Sequence, residues 1–93
     1  MIMKFVKEEH EAQALDGDKK AGFCQYEEKT NDTWAITHTF VDSNYQGQGL
    51  AAKLVDEVCE AARKENVKII PICSYAVKKF DQEPEKYGDL DAR

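Results

Sequence analysis

The sequence is poor in the residues that build disulfide frameworks and metal sites, with three cysteines and two histidines among 93 residues. The cysteines are widely spaced and form no CxxC pair, which excludes a disulfide framework and a cysteine-rich zinc site. His10 and His38 show neither HxH nor HxxxH spacing, so we predict no metal. No apolar run approaches the roughly 20 residues of a membrane span, and residues 1–7 lack a secretory core. We therefore expect a cytoplasmic protein with no membrane partner.

The sequence also has little basic charge. Its 13 lysines and arginines stand against 18 acidic residues, a net charge of −5. Nucleic acid is therefore not expected as a partner, because binding phosphates over a surface needs concentrated basic charge. The length allows one domain over residues 1–93, and the 42% hydrophobic content suits a globular core. We expect this domain to be a monomer or a weak dimer.

The first half of the sequence predicts antiparallel strands. Residues 3–15 are extended, and turn signals at 16–18 and 31–32 separate strands at 11–16, 20–28 and 33–41, which would form a meander. The last strand is the clearest because it is rich in β-branched and aromatic residues. Simple alternation places four of its side chains on one face: Trp34, Ile36, His38 and Phe40.

The second half predicts a βαβ unit. Apolar residues recur at helical spacing over 49–65, and Asn66 is a plausible left-handed stop. A buried-type strand at 67–73 follows, so strands 33–41 and 67–73 should be parallel with a right-handed crossover. A short helix is predicted over 74–81, and the acidic tail 81–93 is interpreted as solvated and partly ordered.

Pro71 lies inside the second strand of this unit. Proline cannot donate to a strand ladder, so it fits poorly in a fully paired central strand. The strand is then either an edge strand or one that separates from its neighbour along its second half. Separation would open a cleft between 38–41 and 71–74, with backbone groups free to receive a ligand.

The segment Gln46-Gly47-Gln48-Gly49-Leu50-Ala51 lies between a strand and an amphipathic helix. Glycines allow a tight turn and close approach to a ligand, and the first N–H groups of a helix have no partner within the helix. Such a segment can hold an anion, and a pyrophosphate is the natural guest. The alternative is a glycine-containing loop that only begins a helix.

Gln46-x-x-Gly49-x-Ala51 resembles the (Arg/Gln)-x-x-Gly-x-(Gly/Ala) motif of the GNAT acyl-CoA N-acyltransferase superfamily. Three further segments are similar to its small, single-domain members of about 90–100 residues. They are Thr37-His38-Thr39, Pro71-Ile72-Cys73-Ser74-Tyr75 and the tail Pro84-Glu85-Lys86-Tyr87 with Asp89-Leu90. The resemblance covers residues 11 to 91.

The resemblance implies an α/β (α+β) fold: a mixed, mostly antiparallel sheet with one splayed parallel strand pair and a crossover helix. It also implies that acetyl-CoA (coenzyme A) binds between the parallel strands. The implied cofactor-binding residues are Thr39, Phe40, Val41, Gln46, Gly47, Gln48, Gly49, Leu50, Ala51 and Ser74. Full-size members have an N-terminal pair of helices and later strands that shape the acceptor site, and 93 residues leave no room for them. The resemblance therefore does not identify the amine or protein acceptor.

Three side chains are catalytic candidates, each with a structural alternative. Cys73 would accept the acetyl group or lie beside the coenzyme A sulfur, or it would be a small core residue. His38 would be a general base, or a hydrogen-bonded histidine within a packed face. Tyr75 would protonate the departing thiolate, or only pack. Cys24 and Cys59 are interpreted as packing residues.

The sequence therefore predicts an acetyl-CoA-binding N-acetyltransferase with an unidentified amine acceptor, working directly or through Cys73. Two alternatives from other classes stay open. One is a non-catalytic acyl-CoA binding or sensing module, and the other is a protein-interaction domain whose glycine loop is structural. Acceptor-dependent release of coenzyme A separates the enzyme from the sensing module.

Overall fold

A computed structural model describes residues 1–93 as one five-stranded sheet with three helices. The mixed, mostly antiparallel sheet with one parallel strand pair and a crossover helix confirms the predicted fold class. Strands β1 to β4 pair antiparallel in chain order, and β5 pairs parallel with β4. The strands are β1 (Ile2–Val6), β2 (Glu11–Asp16), β3 (Lys19–Thr30), β4 (Thr33–Val41) and β5 (Lys68–Pro71). The helices are α1 (Leu50–Lys64), α2 (Ser74–Gln82) and α3 (Pro84–Tyr87). None of the helices has the length and apolar composition that crossing a bilayer requires.

Helix α1 crosses over the sheet between β4 and β5 and buries the apolar stripe predicted for it. Its buried side chains are Leu50, Leu54, Val55, Val58, Cys59 and Ala62. They join a single hydrophobic cluster that includes the stacked rings of Tyr26 and Trp34, 4.2 Å apart. Asn66 follows the helix with a left-handed φ of 58°, which confirms the predicted stop.

Strand β4 contains a bulge that overturns the predicted face of its second half. Ile36 pairs with Tyr26 but His38 pairs with Gln25, so Thr37 is an extra residue without a partner. An extra residue reverses the alternation of the side chains that follow it. His38 and Phe40 are therefore exposed on the face opposite α1, instead of packing with Ile36. The prediction of one shared face was wrong beyond Ile36.

The C-terminal tail is ordered, and its interpretation as a solvated segment was wrong. Tyr87 and Leu90 are almost fully buried, and the ring of Tyr87 stacks on Phe80 at 4.7 Å. The Tyr87 hydroxyl donates to Asp56 on α1 at 2.6 Å. Backbone hydrogen bonds join Ile69 of β5 to Leu90 and Ala92. The tail therefore covers the outer edge of β5, which would otherwise expose unpaired backbone groups.

The carboxylate of Glu11 is buried on the sheet and held by hydrogen bonds from Gln13 at 2.7 Å and Gln25 at 3.3 Å and by an ion pair with Lys20. Burial by itself raises the pKa of Glu11, but the hydrogen bonds from Lys20, Gln13 and Gln25 outweigh it, and the net pKa is lowered.

Glu11→Gln is therefore expected to reduce the free energy of unfolding at neutral pH by about 1.5–3 kcal/mol, the value of a hydrogen bond to a charged group. The pKa of Glu11 is lower in the folded state than its ordinary value of about 4.5. The contribution is therefore fully present at pH values above 4.5 and is lost as the pH falls through the folded-state pKa. Urea unfolding between neutral and acid pH measures both effects. Glu8→Gln, an exposed change of the same charge, is the control. The prediction would be contradicted if both variants lost the same free energy of unfolding, or if the stability of Glu11→Gln depended on acid pH as that of the wild type does.

Candidate active site between β4 and β5

The parallel strands β4 and β5 separate after a short paired stretch. Their register ends at Ile36 opposite Pro71, and the Ile36 carbonyl accepts the N–H groups of Ile72 at 3.0 Å and Cys73 at 3.1 Å. The chain then enters α2, while β4 continues to Val41. Pro71 thus lies at the last paired position, where a missing donor is tolerated. β5 is also the edge strand of the sheet, so both predicted arrangements are present: the strand lies at the edge and separates from β4.

The separated part of β4 presents backbone groups to the cleft. Asp42 donates its N–H to the Ala21 carbonyl on β3 at 2.8 Å, and hydrogen-bonded pairs alternate along an antiparallel ladder. The N–H and carbonyl groups of Thr39 and Val41 therefore point away from β3. The Val41 carbonyl accepts a bond from the Gln46 amide at 3.4 Å. An extended ligand lying in the cleft could pair with the remaining groups as an added strand.

The glycine loop closes one end of the cleft. Gly47 and Gly49 have φ values of 85° and 75°, in the left-handed region that side chains disfavour. A Cβ at either position would meet no heavy atom within 4 Å, so the backbone there faces open space. Gly49 caps α1, and the first N–H groups of α1 have no partner within the helix. The loop thus offers unpaired donors and the positive end of a helix dipole to an anion.

These elements enclose a pocket of about 360 Å³. Its lining residues are Thr39, Val41, Tyr45, Gln46, Gly47, Gly49, Leu50, Ala51 and Tyr75. Every one of them except Tyr45 belongs to the set predicted from the sequence. The structure therefore brings together residues from β4, from the loop before α1 and from the first turns of α1 and α2.

Other predicted residues lie outside this lining. His38 and Phe40 project from the opposite face of the sheet, where Phe40 is 51% exposed and its ring lies 5.5 Å from that of Phe23. His38 is exposed, so its interpretation as a hydrogen-bonded residue of a packed face was wrong. Gln48 and Ser74 are neighbours of lining residues in the chain but do not line the pocket themselves.

Cys73 is half-buried at the edge of the pocket and caps the N-terminus of α2. Its sulfur accepts the Ala76 N–H at 3.4 Å and lies 3.5 Å from the hydroxyl of Thr39, a lining residue. Cys24 and Cys59 are fully buried, and burial raises the pKa of each thiol to about 12. Both therefore remain protonated at neutral pH, in agreement with a packing role.

Tyr45 is the lining residue that the sequence analysis missed. Its hydroxyl donates to Asp16, the last residue of β2, at 2.6 Å, and the Lys19 ammonium lies 5.5 Å from the ring centroid. The hydrogen bond to Asp16 raises the pKa of Tyr45. The only sign in the sequence that Tyr45 could line the pocket is its position directly before the glycine loop.

Comparison with known proteins places the chain in a family. The family model described as GCN5-related N-acetyl-transferase matches residues 9–90, most of the chain. The solution NMR structure of a GCN5-like protein from Staphylococcus aureus superposes with a TM-score of 0.73 at 31% identity. That alignment covers 97% of this chain and 86% of the Staphylococcus protein.

Larger structures share the fold at lower identity. A GNAT family acetyltransferase from Elizabethkingia anophelis, solved with acetyl-CoA bound, has a TM-score of 0.63 at 15% identity, over 82% of this chain and 51% of that one. Rv2747 from Mycobacterium tuberculosis, solved in complex with CoA, has a TM-score of 0.61 at 18% identity, over 77% and 47%. This chain therefore spans about half the length of these two proteins. With the family model and the Staphylococcus relative agreeing over nearly all its residues, the chain belongs to the GCN5-related N-acetyltransferase family.

Proposed function

We propose that this protein is an acetyl-CoA-dependent N-acetyltransferase that transfers an acetyl group to an amine of a small molecule or a protein. In this proposal residues 1–93 act as a single domain in the cytoplasm, as a monomer or a weak dimer. The observation that carries the proposal is the pocket where β4 and β5 separate, with the glycine loop at one end and Cys73 and Tyr75 beside it.

The residues present fit acetyl-CoA. Unpaired N–H groups of the 46–51 loop would hold the pyrophosphate, because the backbone of Gly47 and Gly49 faces open space. The backbone groups of Thr39 and Val41 that point away from β3 would pair with the pantetheine arm. A free N–H on this stretch would polarise the thioester carbonyl. When bound, acetyl-CoA supplies an activated acetyl group.

In this proposal two side chains take part in the transfer itself. The Tyr75 hydroxyl can give a proton to the sulfur that leaves when the thioester carbon–sulfur bond breaks. Cys73 can form the new carbon–sulfur bond and pass the acetyl group to the amine, or lie beside the departing sulfur while the amine attacks directly. In direct attack the proton lost by the amine returns through water to Tyr75 and replaces the one given to the coenzyme A sulfur. In the relay the Cys73 thiol proton replaces it first, and the amine proton later returns to the Cys73 sulfur as that sulfur leaves. His38 lies on the opposite face, so we assign it no part in these steps.

A calorimetric titration with acetyl-CoA is the first test. We expect saturable one-site binding in the micromolar range, about −8 kcal/mol. Flat heats at two temperatures would contradict the proposal and favour an interaction domain with a structural glycine loop. With binding established, release of free coenzyme A thiol is followed across a panel of amines and peptides.

A non-catalytic acyl-CoA module is the second candidate. In this candidate the same pocket holds the acyl-CoA, and no acceptor is acetylated. Binding without acceptor-dependent release of coenzyme A would support this candidate.

Tyr45 provides a test of the pocket wall. Tyr45→Ala is expected to weaken acetyl-CoA binding about tenfold, because about 1.4 kcal/mol of contact with the ring is lost. Tyr45→Phe keeps the ring, loses only the hydrogen bond to Asp16, and is expected to bind within about threefold of the wild type. Titration calorimetry of both variants measures the difference. Equal affinities for the two variants would show that the ring does not contact the ligand.

A further inference from the structure

Three charged side chains lie beside Tyr45 at the rim of the pocket. Asp16 ends β2, Lys19 begins β3 directly across the hairpin from it, and Asp42 follows β4. The Lys19 ammonium lies 5.5 Å from the centroid of the Tyr45 ring, which is a cation–π distance, and 3.9 Å from the Asp42 carboxylate. Neither the family resemblance nor the proposed transfer chemistry assigns a role to Lys19.

The two carboxylates of the rim are engaged by other groups. Asp16 accepts the Tyr45 hydroxyl at 2.6 Å, and Asp42 accepts the Asn44 N–H at 2.9 Å and so caps the short turn after β4. The contact of Lys19 with Asp42 is at the outer limit of an ion pair, and the lysine side chain is 52% exposed. An exposed pair of this kind holds a lysine only weakly. The Lys19 ammonium is therefore free to exchange Asp42 for a stronger anion.

The pocket itself offers no charged side chain to an anion. None of its nine lining residues is acidic or basic, and the chain as a whole carries a net charge of −5. Tyr45 directly precedes the loop that would hold the pyrophosphate, so a phosphate there approaches the acidic rim as well. The glycine loop supplies N–H groups and a helix dipole, which carry only partial charge. Lys19 lies against a lining residue and can supply the full positive charge that a polyanionic ligand needs.

We propose that Lys19 binds a phosphate group of acetyl-CoA and so makes the pocket prefer the whole nucleotide to a shorter pantetheine thioester. This inference rests on the proposed function, because it names a side chain that would contact the same ligand. On binding, the ammonium exchanges the Asp42 carboxylate for the phosphate. Lys19 forms no covalent bond and takes no part in the acetyl transfer.

Titration calorimetry with three thioesters tests the inference through binding alone. The ligands are acetyl-CoA, acetyl-dephospho-CoA, which lacks the 3′-phosphate, and S-acetylpantetheine, which lacks every phosphate. Lys19→Met keeps the aliphatic stem and removes the charge. It is expected to weaken acetyl-CoA binding about fivefold and to leave S-acetylpantetheine binding unchanged. A loss that persists with acetyl-dephospho-CoA assigns the contact to the pyrophosphate, and a loss that disappears assigns it to the 3′-phosphate.

Ionic strength provides an independent readout of the charge. The screening length is about 30 Å at about 0.01 M salt and about 3 Å at about 1 M. The difference in acetyl-CoA affinity between the wild type and Lys19→Met should therefore fall below about twofold at the higher ionic strength. A difference that is the same at both salt concentrations would contradict an ionic contact.

Asp42→Asn is expected to change the affinity in the opposite direction. Asparagine retains an oxygen that accepts the Asn44 N–H, so the turn is preserved while one carboxylate is removed. Acetyl-CoA should bind about threefold more tightly, because Lys19 no longer leaves an anion and the rim loses a negative charge. A purely structural role of Lys19 would not strengthen binding in this variant.

Two further variants are controls. Lys19→Arg keeps the charge and should bind acetyl-CoA within about twofold of the wild type. Lys29→Met removes a lysine from the other end of β3 that is 47% exposed and paired with Glu27 at 2.9 Å, and it should leave the affinity unchanged. The inference would be overturned by wild-type affinity in Lys19→Met, by an equal loss in Lys29→Met, or by Asp42→Asn failing to bind more tightly. If the wild-type chain does not bind acetyl-CoA, the proposed function fails too, whereas wild-type binding that Lys19→Met leaves intact contradicts the inference alone.

Discussion

Gly49→Val is expected to weaken acetyl-CoA binding about 100-fold while the fold survives. Gly49 has a φ of 75°, and nothing lies within 4 Å of the position a Cβ would occupy. A branched side chain would fill the open space through which a pyrophosphate approaches the N–H groups at the start of α1. Each charge-assisted hydrogen bond is worth about 1.5–3 kcal/mol, so losing two accounts for the change.

Backbone strain must be separated from this effect, since a side chain in the left-handed region costs about 1–2 kcal/mol wherever it is introduced. Gly17 offers the matched control, because its φ is 61°, it also has open space at the Cβ, and it does not line the pocket. Gly17→Val should lose similar stability and bind acetyl-CoA as the wild type does. Calorimetry and urea unfolding of both variants measure the two quantities. Wild-type affinity in Gly49→Val would refute the anion role of the loop.

If acetyl transfer runs through Cys73, mixing the wild-type chain with acetyl-CoA should give a covalent acetyl-protein thioester, and Cys73→Ser is expected to abolish it. Serine retains an oxygen that can accept the Ala76 N–H, so the start of α2 is preserved. Its hydroxyl is a far weaker nucleophile than a thiol at neutral pH. Intact mass measured before and after hydroxylamine treatment detects the thioester and its loss.

Cys59→Ala is the control for this experiment. Cys59 is fully buried on α1, and its raised pKa keeps it protonated, so the thioester should form as in the wild type. Persistence of the thioester in Cys73→Ser would place acylation at another residue. Steady-state transfer to an amine separates the two routes: a relay loses turnover along with the thioester, whereas direct attack retains turnover without it.

Local patterns were sufficient for the elements that a single stretch of chain specifies. The apolar spacing over 49–65 predicted α1, and Asn66 ends it in the left-handed conformation. The glycine loop predicted a tight turn before the helix, and Pro71 predicted a strand that separates or lies at an edge, and the structure has both features. In each case the backbone preference of the residue itself carries the information.

Three features could not be read in this way. The bulge at Thr37 turned His38 and Phe40 to the opposite face, and no residue type marks where a strand will accept an extra residue. The tail carries acidic charge typical of solvated segments, yet burial of Tyr87 and Leu90 against the sheet and α1 orders it. Tyr45 enters the pocket wall, where Asp16, distant in sequence, accepts its hydrogen bond.

The difference follows from the range of the interactions. Helix and strand periodicity, left-handed glycines and the missing donor of proline act within a few residues, so the sequence alone predicted a βαβ unit with an anion-binding turn. The register between β3 and β4, and the contacts of Thr39 with Cys24 and Cys73, depend on how separate segments pack. Those arrangements are selected by burial summed over the whole core, which no local stretch of sequence encodes.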